Sequence, residues 1–207
     1  MNSVHTSNKR SARRQKRTQE ILASALQIVV EDGVDGLTVH KLAKRMDCAV
    51  GAMYRYFSGK DALLQALQDH ALTAFAAHLE REITGEGLER VMAAFLAWHG
   101  FAEAEPALHA LLDGALSDPH RLLSDEAATA VDARLRGVMA IGQQTLLDAQ
   151  EAGLLNEGDA LIRSYAMFAA VHGTEHFRKR DGYAEVASSD VRRELMLSLL
   201  RGWGATP

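Results

Sequence analysis

Along nearly the whole chain, apolar residues return at three- and four-residue spacing, which only a helix can gather onto one face. Ile21, Leu22, Ala25, Ile28 and Val29 form the first such face, and Asp32-Gly33 stops it. Proline, which would break the pattern, occurs three times in 207 residues. The expected fold class is therefore all-α, with about nine helices.

The order of the breaks divides the chain. Met1–Lys16 is rich in Ser, Asn, Lys and Arg and carries no apolar stripe, so residues 1–16 are expected to be a basic flexible arm. A helix follows from Arg17. Thr38 is a candidate N-cap for a short helix burying Val39, Leu42, Ala43 and Met46. Asp47-Cys48 then marks a tight turn, and a second short helix runs from about Ala49 to Tyr56. Ser58-Gly59-Lys60-Asp61 offers a capping box for the next. Longer helices are expected at about Asp61–Glu82, Leu88–Phe101, Pro106–Leu116, Ser124–Gly153, Gly158–Arg180 and Asp190–Trp203. The breaks fall at residues 84–87, Glu105-Pro106, Asp118-Pro119, Gly153 and Asp181-Gly182. Residues 17–65 read as a small helical domain and 66–207 as a larger one.

Charge sharpens that division. Residues 1–67 hold eleven Lys and Arg against six Asp and Glu, whereas residues 68–207 hold twelve against twenty-one. A basic head on an acidic body attracts a polyanion at one end and repels it at the other.

Two short helices joined by a tight turn can place the second in a major groove if small residues stand where the backbones approach. Ala43 meets that need. Val50, Gly51 and Ala52 make a small outer face that would not clash with bases, Arg55 reaches outward one turn later, and Met53 and Phe57 face inward. Residues 38–57 thus read as a DNA-binding helix-turn-helix. Lys9, Arg10, Arg13, Arg14, Lys16 and Arg17 add a positive run suited to phosphates or a minor groove, with Arg13, Arg14 and Arg17 as its candidate contacts.

Leu37-Thr38-Val39, Leu42-Ala43, Met53-Tyr54-Arg55-Tyr56-Phe57 and Lys60-Asp61-Ala62-Leu63 together resemble the signature of the TetR family of regulators, over about residues 17–65. The remaining residues match only in helical layout. The resemblance implies that Thr38 caps the second helix and contacts a phosphate, that Tyr54 and Tyr56 bond to or pack on the DNA backbone, and that Lys60 meets another phosphate. Base reading then falls to Val50, Gly51, Ala52 and Arg55, through thymine methyl or guanine contacts. Three positions depart from the common pattern: Asp47 replaces Gly, Ala49 replaces a capping Ser, and Ala52 replaces a frequent Thr.

The resemblance also implies a homodimer built from the last two helices, a near-palindromic double-stranded operator, and a small-molecule effector held in the body. Leu161, Tyr165, Phe168, His172 and His176 stripe the penultimate helix. Val191, Leu195, Met196, Leu199, Leu200 and Trp203 spread around the last one. Candidate pocket residues are Phe95, Trp98, His99, Phe101, Met139, Leu146, Phe168 and His172, a mostly apolar set that fits a lipophilic effector. Repression, with release by that effector, is the family's expectation.

Other classes find less support. His172 and His176, four apart around Glu175, have a zinc-compatible spacing, but no cysteine or further histidine pair accompanies them, so no metal or cofactor is expected. Cys48, the sole cysteine, reads as a small buried residue of the turn and excludes an intrachain disulfide. No nucleophile with its base and no phosphate-cradling glycine loop occurs at a convincing spacing, so an enzyme is not expected. Without an apolar leader or an uninterrupted apolar run of membrane length, the expected location is cytoplasmic. The alternative function is a helical interaction protein, or a DNA binder without sequence preference or effector.

Overall fold

The computed structural model describes residues 3–117, 123–178, 181–183 and 185–206, with residues 3–8 and 117 given by backbone alone. Among the described residues there are nine helices and no strand. They are α1 (Ser3–Asp32), α2 (Val39–Arg45), α3 (Val50–Met53), α4 (Lys60–Glu82), α5 (Gly87–Ala104), α6 (Pro106–Ser117), α7 (Asp125–Glu151), α8 (Ala160–Arg178) and α9 (Ser188–Gly202). None of them is long and apolar enough to cross a membrane. The expected break at Asp118-Pro119 and the expected end of α8 at Arg180 lie outside the described residues.

The principal difference from the sequence reading is at the start. The segment expected to be a flexible arm continues α1 back to Ser3, giving a helix of 30 residues. The reason is local: between Lys9 and Glu20 there is no Gly or Pro, and Lys, Arg, Gln, Glu and Ala are good helix formers even without an apolar stripe. Hydrophobic periodicity reports burial, so it misses a helix that stays in solvent.

The chain forms two compact units, Met1–Ala71 with Ala107–Asp132, and Leu72–Pro106 with Ala133–Pro207. In the first, Ile21, Ala25 and Ile28 of α1, Leu37, Leu42, Ala43, Met53, and Leu63 and Leu67 of α4 are almost wholly buried. Polar bonds brace this core. Arg45 donates to both carboxylate oxygens of Glu31 at 2.6 and 2.8 Å and to Gln27 at 3.1 Å, and Lys41 pairs with Asp32 at 2.6 Å. Gly36 passes so close to the Asp32 backbone that a Cβ there would collide with it. Further along, Asp61 does not cap its own helix. Its carboxylate accepts from the Ser124 backbone at 3.1 Å and hydroxyl at 2.5 Å, while buried Gln68 donates to the Leu111 carbonyl at 2.9 Å.

In the second unit, α5, α8 and α9 pack around Val91, Trp98, Phe101, Met167, Val171, Met196 and Leu200. Phe95 lies against the backbone of Gly142, where a Cβ would stand 3.2 Å from its ring.

Candidate nucleic-acid interface

Three devices fix the geometry of α2 and α3. Thr38 is extended, with φ −133° and ψ 152°, and its hydroxyl accepts the Lys41 N–H at 3.1 Å, satisfying one of the free donors at the start of α2. At the other end the Cys48 N–H reaches the Ala43 carbonyl at 3.0 Å and the Asp47 N–H reaches Lys44 at 3.2 Å. These are the two bonds of a Schellman cap, and they require a left-handed residue. That residue is Asp47, at φ 48°, the one non-glycine with positive φ among the described residues. Aspartate tolerates this conformation better than most side chains, which explains how the turn forms without the usual glycine. Third, Ala49 stands extended ahead of α3 with no side-chain cap. Deprived of it, α3 is a single turn, held by burial of Met53 and Phe57.

The expected outer face is open. Gly51 and Arg55 are exposed, Val50 and Ala52 half-buried, and no atom lies within 4 Å of where a Gly51 Cβ would be. Tyr54 is 51% exposed and thus no core residue; Tyr56 is half-buried, and Lys60, the first residue of α4, half-buried. Cys48, expected to be buried, is half-buried, because the turn that carries it runs along the surface.

The helical extension adds what the sequence reading lacked. At about 100° per residue, Lys9, Arg10, Arg13, Arg14, Lys16 and Arg17 fall within an arc of roughly 160°, while Ser11, Ala12, Gln15 and Thr18 occupy the remainder. As a helix, the positive run becomes a positive face. Five of its cations, Arg10 through Arg17, line an open cleft of about 960 Å³ whose other wall includes Arg55 and Tyr56. Arg17 is held by Glu20 at 2.9 Å, and this bond, together with the neighbouring carboxylate charge, raises its already high pKa. Glu20 is the cleft's single acid. The geometry therefore joins the basic segment to the end of α3 in one cationic surface, suited to a polyanion backbone.

The candidate pocket residues, all in the second unit, divide into groups. Trp98, Phe168 and His172 cluster, with ring centroids 5.3 Å apart for Trp98–Phe168, 5.8 Å for Trp98–His172 and 5.5 Å for the stacked Phe168–His172 pair. Phe101 instead meets Phe75 and His78, at 5.2 and 5.6 Å. His99 turns to Glu175, Leu146 is fully buried, and Met139 is half-buried. Sequence reasoning missed Phe75 and His78, which sit at helical spacing on α4, and Glu175, which it noted only as lying between His172 and His176. The Glu175 carboxylate is directed at His99 and Arg192.

Comparison with known proteins places these observations. Residues 21–67 match the model of bacterial regulatory proteins, tetR family. Over 58 residues the chain is 41% identical to the class A tetracycline repressor protein from transposon 1721 of Escherichia coli, covering 28% of this chain and 27% of that one. The chain spans between about a quarter and about half of the length of the curated relatives it matches. Among solved structures, a protein of unknown function from Rhodococcus sp. RHA1 is 26% identical with TM-score 0.76, covering 90% of this chain and 94% of that one. The TetR family transcriptional regulator PfmR from Thermus thermophilus shares the fold, at 20% identity and TM-score 0.64, over 87% of this chain and 97% of its own.

Proposed function

This chain belongs to the tetR family of bacterial regulatory proteins, and from that premise we propose that it is a dimeric, cytoplasmic DNA-binding transcriptional repressor, released from a near-palindromic operator by a small, largely apolar effector. The observation that carries the reading is the cationic cleft, in which Arg10–Arg17 of α1 face Arg55 and Tyr56 beside the helix-turn-helix. Residues 17–65 read the DNA, and residues 66–207 dimerise and sense.

In this reading Thr38, Tyr54, Tyr56 and Lys60 position the protein on phosphates, and Val50, Gly51, Ala52 and Arg55 face the bases. Arg13, Arg14 and Arg17 lie along the backbone as part of a helix rather than a loose arm. Dimerisation falls to α8 and α9, supported by the exposure of Leu161, Ile162 and Tyr165 on one and Leu195 on the other, an apolar surface that a lone subunit would leave in water. The effector would sit at the Trp98, Phe168 and His172 cluster, and it can release DNA only by binding the free conformation more tightly than the DNA-bound one.

The test is binding of the full chain to the intergenic DNA upstream of its own coding sequence and to random DNA of equal length, over a salt series. Tighter binding to the upstream DNA at every salt concentration supports the regulator. Equal affinities throughout would establish instead the DNA binder without sequence preference, which the six-cation face by itself would produce.

A further inference from the structure

Between α5 and α9 of the second unit lies a groove of about 620 Å³ that the proposed function does not use. Its floor is Leu88, Met92 and Leu96 of α5 with Leu197 of α9, and its rim includes Arg193, Arg201 and Glu89. Its ends differ. The start of α5 and the end of α9 meet around Leu154–Asn156: a Cβ on Gly87 would contact Leu154, and the Asn156 N–H donates to the Trp203 carbonyl at 2.8 Å. Glu89 and Arg201 therefore start from one end, and the Arg201 guanidinium turns back along α9 to Glu194 at 3.6 Å. Arg193 stands at the other end beside Leu96, which is 36% exposed, and Arg193 makes no ion pair or hydrogen bond among the described residues.

The groove is thus apolar along its length, with Arg201 engaged by Glu194 and Arg193 left as its unpaired cation among the described residues. We propose that it binds a single-chain carboxylate, with the headgroup on Arg193 and the alkyl chain running over Leu96, Met92 and Leu197. Arg193 to Arg201 spans about 12 Å at 1.5 Å per residue, the reach of a chain of roughly ten carbons. The guanidinium fork matches a carboxylate in two parallel hydrogen bonds. An extended peptide fits poorly, since the floor side chains offer nothing to its amide groups once water is displaced. A second subunit seated on the exposed Leu195 would leave the groove open. Leu195 lies two residues from both Arg193 and Leu197, about 200° around the helix and on its opposite flank. The site is also separate from the Trp98, Phe168 and His172 cluster, none of which lines it.

The experiment is calorimetric titration of the full chain with sodium decanoate below its micelle-forming concentration, with n-decanol as the uncharged comparison. Saturable binding of decanoate is expected, weakened about tenfold or more by Arg193→Glu and by Leu96→Glu, kept within a few-fold by Arg193→Lys, and about tenfold weaker for decanol. Residue 193 is exposed, so its variants should melt as the parent does, and Phe168→Ala should leave decanoate binding intact. Absence of saturable binding, binding unchanged in both groove variants, equal binding of decanol, or loss in Phe168→Ala with retention in the groove variants would each overturn the proposal.

Discussion

Nδ1 of His99 lies 2.7 Å from Oε1 of Glu175, and Arg192 donates to that same oxygen from 3.1 Å. One buried carboxylate thereby ties α5, α8 and α9 together. The other oxygen of Glu175 is buried without a hydrogen bond, 3.6 Å from Nε of Arg178, so the carboxylate's two hydrogen-bonding contacts both fall on Oε1. With Glu175 and Arg192 both nearly inaccessible, removal of either strands the opposite charge. Glu175→Ala and Arg192→Ala should each destabilise the folded chain by about 3 kcal/mol in urea denaturation. Replacing both, as Glu175→Leu with Arg192→Met, should cost less than the sum of the single changes, because no buried charge is left unpaired.

The two short helices of the head are capped unequally. Thr38→Ala should cost about 1 kcal/mol through loss of the bond to the Lys41 N–H. Ala49→Ser supplies α3 with a cap its extended backbone is ready to accept, and should add about 0.5–1 kcal/mol. Denaturant midpoints of the two variants should move in opposite directions.

Asp47 holds a left-handed backbone that glycine adopts freely and a β-branched residue resists. Asp47→Val should destabilise by about 1–2 kcal/mol, while Asp47→Gly should stay within about 1 kcal/mol of the parent. Thermal melts of both variants against the parent check the ordering.

On DNA, Arg55→Ala should relax sequence preference, whereas Lys60→Ala should weaken binding to every sequence alike and shallow the slope of log affinity against log salt by about one. Competition binding with scrambled operators separates these outcomes. An unchanged preference in Arg55→Ala would move Arg55 from the reading face to the backbone-contacting set, beside the α1 cations that share its cleft.

Acid should loosen the α1–α2 brace at a definite point. The bidentate bond from Arg45 holds the Glu31 carboxyl below the usual glutamate range. A carboxylate whose folded pKa is depressed contributes stability that is fully present above the unfolded pKa of about 4.3 and disappears as pH falls through the folded value. Carboxyl carbon NMR should find Glu31 titrating below ordinary glutamates, and Arg45→Ala should return it to their range.

Much of the head was legible because its signals are local. A hydroxyl before a helix, a turn-compatible residue at Asp47, and inward Met53 and Phe57 act through bonds or contacts within a few residues of themselves, and the structure holds each where the spacing put it. The stripe of the penultimate helix was less legible. Leu161 and Tyr165 are exposed while Phe168 and His172 turn into the aromatic cluster, a difference that a single chain's periodicity cannot express.

Sequence alone determined the helical class, the positions of nearly every break and the polarity of charge between head and body, since each follows from residues close in the chain. The tertiary structure decided which charges meet. It turned the basic run into one face opposite Arg55 and Tyr56, and it gave Glu175 to His99 and Arg192. It also opened the groove of Arg193 between two helices far apart in the chain. The physical reason is common to all three: helix spacing states which side chains share a face, and only packing states what that face is brought against.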